Sequence, residues 1–405
     1  MGRTQNMGIL QFGKKKGSGF MKYNLSPWFD AHVHLRGPDH PWCQQAFELI
    51  VGSVAKQCSY AVVMPNSPII KTVEEMKAYR EQILTAARKV APDSDFQPLM
   101  TLYLTENSSE QDIKEAAEIP WFAGWKLYPQ GVTTGSQEGV SDFRKLEKVL
   151  GMIDGVGSRL LIHGETTRPG ISDLHTEDIF VMEDLPVIRQ MFKGKICLEH
   201  CSTFSAINAV LDDDLMWGSI TPHHLTRFAV DTRNPHNWCK PVWQTNYNRQ
   251  YLIDNVFTFG SKFFAGTDTA PHLESQKLSA DPPNGCFSAP VALPLYFKAV
   301  QEHYDGLPDS VRYASCEKNH YIRDRIEKFL YGSAAYFYDI VKDGQNILLG
   351  GNMHYGVNIV VEDNYLEPLL APSGDDFKFS NGNLDGFDRI VPLRAGEKLR
   401  FSAHY

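Results

Sequence analysis

His32 and His34, with Arg36 two positions further on, carry the first chemical signal in the chain. They close an apolar run, Trp28-Phe29-Asp30-Ala31. In an extended strand, residues i and i+2 point to one face, so both imidazoles leave the backbone on the same side. Neutral imidazole is a standard ligand for zinc and its neighbours in the first transition row. A pair of this kind also arises by chance on a surface strand, so the reading depends on what else reaches the same place.

Four further residues stand at the ends of β-like runs. They are Lys126 in Gly124-Trp125-Lys126-Leu127-Tyr128, His163 in Leu160-Leu161-Ile162-His163-Gly164-Glu165, His200 in Cys197-Leu198-Glu199-His200, and Asp268 in Phe264-Ala265-Gly266-Thr267-Asp268. Each has a plain reading: a hydrogen-bonded core histidine, an aspartate in a cap or turn, a lysine whose stem lies along the surface. Together they point to a metal centre, because such a group would otherwise bury many unsatisfied polar atoms. Protonated lysine is no ligand. A carbamate on Lys126, formed with carbon dioxide, would end in two oxygens able to bridge ions about 3.5–4 Å apart. It needs the neutral amine, which burial beside cations favours.

Eight strands would position these groups: Trp28–Leu35, Tyr60–Met64, Pro98–Leu104, Phe122–Leu127, Arg159–His163, Lys195–His200, Gly218–Thr221 and Lys262–Thr267. Helical periodicity fills the intervals. Thr72 and Glu75 form a capping-box pattern, Leu146, Val149, Leu150 and Ile153 make an apolar stripe, and a last helix is expected over Val291–Gln301. The alternation predicts the α/β class and a (β/α)8 TIM barrel. The usual barrel length of about 250 residues fits the span from Trp28 to His303, and catalytic groups belong at its C-terminal strand ends. An open doubly wound sheet is the alternative, without its usual Gly-rich phosphate turn. Beyond the barrel, strands over Val357–Val361 and Lys398–Ala403 are expected to pack on it, with a polar loop, Ser373–Asp388, between them. Residues 1–24, including Lys14-Lys15-Lys16, read as a disordered tail. Residues 25–405 read as one domain, with the barrel over about 27–335 and a C-terminal extension over 336–405.

The 405 residues carry a formal net charge of -8 and no basic cluster beyond that tail, which argues against a nucleic-acid partner. No apolar stretch is long enough to span a bilayer. The seven cysteines are odd in number and scattered, and read as free thiols of a reducing cytoplasm.

With these residues in hand, the chain resembles the dihydroorotases, in the shorter class found in many bacteria, within the amidohydrolase superfamily. The resemblance runs from about Pro27 to Tyr405. It rests on His32-Val33-His34-Leu35-Arg36, Val63-Met64-Pro65-Asn66, Lys126-Leu127-Tyr128-Pro129, Val132-Thr133-Thr134, Leu161-Ile162-His163-Gly164-Glu165 and Glu199-His200. Thr221-Pro222-His223-His224-Leu225, Gly266-Thr267-Asp268-Thr269-Ala270-Pro271-His272, Gly285-Cys286-Phe287 and Ala395-Gly396-Glu397 extend it. It implies two zinc ions per chain, one on His32, His34 and Asp268, the other on His163 and His200, bridged by Lys126 as N6-carboxylysine. It further implies Arg36, Asn66 and His272 on the substrate carboxylate, Thr133 and Thr134 on a mobile closing loop, and main-chain contacts to the pyrimidine ring at Lys240 and Asn284. Lys240 departs from a usual leucine, and Asn284 from a usual small residue. The implied reaction is reversible cyclisation of N-carbamoyl-L-aspartate to L-dihydroorotate and water in pyrimidine (UMP) synthesis, through a metal-bridging hydroxide with Asp268 as general acid and base. The expected partners are the small-molecule substrate and a second copy in a homodimer, with no nucleic acid and no membrane. Two rivals share the fold: a hydantoinase or allantoinase, for which a neutral ring would need no carboxylate clamp, and a non-catalytic scaffold, which would tend to lose metal ligands.

Overall fold

The computed structural model describes residues 20–25, 28–38, 44–314, 318–342, 345–346, 357–362, 369–370, 378–380, 387–395, 398–399 and 401–404. Strand β1 is Phe20–Leu25. Eight parallel strands follow: β2 Trp28–Val33, β3 Cys58–Val63, β4 Gln97–Tyr103, β5 Phe122–Leu127, β6 Leu160–His163, β7 Ile196–Glu199, β8 Met216–Ile220 and β9 Phe263–Ala265. They hydrogen-bond in sequence order, as the barrel expectation requires. The ring closes where β2 meets the segment after β9. Asp268 N donates to His32 O at 2.9 Å, and His34 N donates to Thr269 O at 2.9 Å. The Asp30 carboxylate reinforces the seam by accepting from Thr267 N at 2.8 Å and Thr267 Oγ1 at 2.6 Å.

Helices fill the intervals. Val73–Val90 begins at the expected capping box, with Thr72 Oγ1 accepting from Glu75 N at 3.2 Å and the Glu75 carboxylate accepting from Thr72 N at 3.1 Å. The helix expected over Val291–Gln301 spans Ala292–Gly306. One apolar layer lies between strands and helices and gathers residues such as Val63, Ile83, Trp125 and Ile188. A second fills the barrel, with Phe29, Tyr60, Val62, Leu99, Leu161, Trp217 and Phe264 packed against Phe337, Tyr338 and Ile340. The segment after helix Ser333–Phe337 therefore plugs the barrel floor, at the end opposite the predicted site.

The described part of the expected tail is a strand. Phe20–Leu25 pairs antiparallel with Val357–Glu362, which pairs in turn with Phe401–His404. Met21-Lys22-Tyr23-Asn24-Leu25 alternates apolar and polar, but so short a run beside a polar tail is a weak signal, and its partner lies at the far end of the chain. This sheet lies against helices Ala292–Gly306 and Lys318–Glu327. The expected loop Ser373–Asp388 also contains strand Lys378–Ser380, paired with Phe387–Arg389. Residues 1–19, Cys43, Cys316, Gly396 and Glu397 lie outside the described residues. Cys58, Cys197, Cys201, Cys239 and Cys286 are free and buried. No helix among the described residues is long and apolar enough to cross a membrane.

Candidate metal centre and substrate cavity

The C-terminal strand ends bring several of these side chains together. His32 Nε2 lies 3.3 Å from His34 Nε2 and 3.4 Å from Asp268 Oδ1, and His34 Nε2 lies 3.0 Å from the same oxygen. In a tetrahedral shell with bonds of about 2.0–2.1 Å, ligand atoms sit roughly 3.3 Å apart. These three atoms already have that spacing. His163 and His200 stand alongside, with ring centroids 4.5 Å apart, and the His200 and His32 rings are 5.2 Å apart. Strand β2 ends at Val33, one residue short of His34, and its register shifts between Asp30 and Val33. The two rings meet despite that irregularity.

Burial and unpaired atoms mark the place as a ligand site. Lys126 is fully buried, and its Nζ has no hydrogen-bond partner; Glu199 Oε1 is 4.0 Å away and the Tyr128 ring centroid 5.2 Å. Burial lowers the lysine pKa, against the pull of Glu199. His200 Nδ1 is likewise buried and unpartnered. Burial pushes His32 and His200 well below the ordinary histidine value, and His34 below it, which favours the neutral form that can ligate a metal. Burial alone would raise the Asp268 carboxyl. The hydrogen bond from His34 and the electrostatic influence of His32, His34 and His163 outweigh it, leaving Asp268 below its ordinary value.

A second layer holds the ligands, and sequence reading missed it. His32 Nδ1 lies 2.8 Å from Glu199 Oε2, which also accepts from Ser219 Oγ at 2.5 Å; Ser219 Oγ accepts from His200 N at 2.7 Å. His34 Nδ1 is 2.7 Å from Asn66 Oδ1, and His163 Nε2 is 2.7 Å from Glu165 Oε2. Such partners fix which ring nitrogen faces a metal. The signal was available in part: Glu199 and Glu165 lie one and two residues from a predicted ligand. Gly266 permits the close approach, since a Cβ there would meet Ser219 Cβ at 2.9 Å and His32 Cβ at 3.1 Å. Arg36, His200 and Asp268 all have positive φ, at 57°, 42° and 46°. Non-glycine residues in that region are uncommon and cluster at functional sites.

A cavity of about 350 Å³, open mouth included, lies over this group. His32, His34, Arg36, Asn66, Thr133, Thr134, His163, His200, Lys240, Asp268 and Asn284 line it, with Tyr128, which sequence reading did not single out. Lys126 and His272 are not in the lining. Arg36 is buried with Nε on Pro271 O at 3.1 Å and Nη2 3.0 Å from His272 Nε2, while Nη1 has no partner. Burial pulls its pKa down to about 10. A buried guanidinium that lines a cavity and keeps a spare donor has the chemistry to receive a carboxylate. His272 Nε2 also lies 2.8 Å from Asn284 O, so it braces the wall behind Arg36.

The threonine loop is docked over the cavity. Asn66 Nδ2 donates to Thr134 O at 2.8 Å, and Thr134 Oγ1 donates to Asn284 O at 3.4 Å. Gly131 and Gly135 have φ of 76° and 69°. Lys240 pairs through Nζ with Asp173 at the rim, so its side chain is engaged there.

Comparison with known proteins agrees with this geometry. No protein-family profile matches the chain. The dihydroorotase of Ralstonia pickettii is 37% identical over 381 residues, covering 92% of this chain and 96% of that protein. The solved dihydroorotase of Campylobacter jejuni superposes with a TM-score of 0.74 at 28% identity, covering 97% of this chain and 99% of that one. The Saccharomyces cerevisiae dihydroorotase, solved in complex with 5-fluoroorotic acid, gives 0.74 at 25% identity, covering 95% and 98%. An Arthrobacter aurescens L-hydantoinase shares the fold at 0.65 but only 13% identity, covering 93% and 87%. By its identity to such relatives over nearly its whole length, the chain belongs to the dihydroorotase family.

Proposed function

We propose that this chain catalyses the reversible closure of N-carbamoyl-L-aspartate to L-dihydroorotate and water, as a step of pyrimidine synthesis. Family membership supports the reaction. The observation that carries the reading to the site is the buried Arg36 donor, unpaired, on the same cavity as the His32, His34 and Asp268 cluster. A hydantoin carries no carboxylate to use it.

In this reading His32, His34 and Asp268 would hold one zinc ion and His163 and His200 a second, with Lys126, once carboxylated, as a further anionic ligand. The spacing of the first three ligand atoms and the orphaned Lys126 Nζ and His200 Nδ1 support it. When bound, such ions polarise a carbonyl oxygen and acidify a water. The chain does the rest. Arg36 receives the substrate carboxylate, with Asn66 beside it and His272 bracing from behind. Glu199 and Asn66 orient His32 and His34. Asp268, held ionised, takes the proton of the attacking water during ring opening and delivers it to the departing ring nitrogen. Closure runs the same transfers in reverse. It consumes a proton, because the open substrate has one more carboxylate, so falling pH favours the ring. Thr133 and Thr134 close over the bound molecule and shed water from it. The main chain at Lys240 and Asn284 lies against the ring. We assign the enzyme to the cytoplasm and to a homodimer; the buried free thiols support the first.

A substrate panel tests the assignment. Ring opening of L-dihydroorotate should far exceed that of an uncharged hydantoin or dihydropyrimidine. Preference for the uncharged ring would replace this reading with the hydantoinase one.

A further inference from the structure

A second cluster of ligand-type side chains stands beside the cavity and has no part in the proposed reaction. Strand β8 ends at Ile220, and the short helix Pro222–Thr226 that follows carries His223 and His224. Cys239 lies on the strap that leads to Lys240 at the cavity rim. One ring nitrogen of each histidine and the Cys239 Sγ lie within 4.8 Å of one another, and all three residues are buried. The group is separate from His32, His34 and Asp268.

His223 is the informative member. Both of its ring nitrogens are enclosed, and neither has a hydrogen-bond partner. Its ring stacks on Trp243, with centroids 6.0 Å apart and planes at 25°. A buried polar atom without a partner is costly, so an imidazole with both nitrogens unpaired is an unmet demand for a ligand. His224 is oriented from two sides, its Nδ1 2.8 Å from Thr221 Oγ1 and its Nε2 3.1 Å from Pro241 O. Whichever nitrogen ligates, the other keeps a bond that sets the ring plane, as metal-binding histidines usually do. Cys239 Sγ lies 3.3 Å from Pro241 O and touches the thiol of Cys286, and both thiols are free.

We propose that His223, His224 and Cys239 form a binding site for a thiophilic divalent cation of the zinc type, distinct from the catalytic group. Imidazole and thiolate select such ions, whereas magnesium and calcium demand oxygen. Bonds of about 2.0–2.1 Å to nitrogen and 2.3 Å to sulfur require the three atoms to draw in by roughly 1 Å, within reach of side-chain torsions. Binding forms a metal–sulfur bond and releases the Cys239 thiol proton to solvent. Cys286 or water completes the shell. An ion held there ties the end of β8 to the strap carrying Lys240.

Cobalt(II) alone is the probe. The catalytic group offers only nitrogen and oxygen, so a thiolate-to-cobalt charge-transfer band in the near ultraviolet reports this site by itself. The full-length protein should show that band, saturating at about one ion per chain. Cys239→Ser should abolish it and His223→Ala should weaken binding at least tenfold, while His163→Ala should retain it. A wild-type protein saturated with cobalt but lacking the band overturns the proposal, and so does a band that survives in Cys239→Ser. The wild-type spectrum stands without any variant, and it is independent of ring-opening activity, so failure here is separable from failure of the catalytic reading.

Discussion

Lys126 is where plain chemistry separates two structures most sharply. An exposed lysine can become alanine within about ±0.5 kcal/mol. Lys126 is fully buried, with no acceptor within hydrogen-bond distance of its ammonium. As a carbamate it would supply an anionic ligand to the metal, and Lys126→Ala should then lose bound metal and activity together. A small carboxylic acid added to that variant should restore part of both. A metal-replete, fully active Lys126→Ala protein in elemental analysis would remove that ligand from the account. The proposed ligands themselves were legible in the sequence, because four histidines, a lysine and an aspartate at strand ends are chemically rare. Their supports were not. Ser219 reaches Glu199 across neighbouring strands, and Asn66 reaches His34 from another strand end. Those distances exist only once the register is set.

At the scale of elements, the loop over Thr133 and Thr134 depends on glycine. Gly135 has φ of 69°, and a Cβ there would stand 2.2 Å from Asn66 O. Gly135→Ala cannot close on Asn66 and strains its own backbone. Turnover should fall by about tenfold or more while the thermal midpoint moves by only a few degrees, since the loop lies outside the core. Steady-state kinetics beside a melting curve reads both. A second element-level test concerns the helix at Thr176–Ile179, tied to the segment after β7 by Glu177. Its carboxylate accepts from Ser202 N at 3.1 and 3.0 Å and from Ser202 Oγ at 2.9 Å. Burial raises its pKa from an ordinary 4.5 to about 8. Between those values the folded chain keeps a proton that the unfolded chain has released. The contribution is therefore full below pH 4.5 and is lost as pH rises toward 8. Glu177→Gln should flatten that decline in denaturant midpoints measured across the window, and an unchanged slope would refute the assignment. The barrel strands were legible because each is a short apolar run ending in a distinctive residue. Phe20–Leu25 and Lys378–Ser380 were not, since their partners are set by tertiary pairing rather than local pattern.

At the scale of the molecule, the two barrel ends divide the work. Polar groups crowd the C-terminal face, and Phe337, Tyr338 and Ile340 seal the floor. Phe337 is fully buried, 5.2 Å from the Trp217 ring and 5.6 Å from Phe264. Phe337→Ala should cost about 3–5 kcal/mol of stability. KM should stay as it was, because nothing at the floor touches the cavity; a KM change at constant stability would show the ends to be coupled. The sequence boundaries read the barrel as ending near residue 335, before this plug, because an interior seal leaves no periodic trace of its own. The claim that binds all three scales is that this cavity opens and closes dihydroorotate with metal held by the converging strand ends. The most direct measurement is ring opening of L-dihydroorotate by the purified protein, by the same protein stripped with a chelator, and by the stripped protein titrated with zinc. The account predicts loss on stripping and recovery that tracks bound zinc to about two ions per chain. Undiminished turnover by metal-free protein, or no turnover by the zinc-loaded chain, would contradict it.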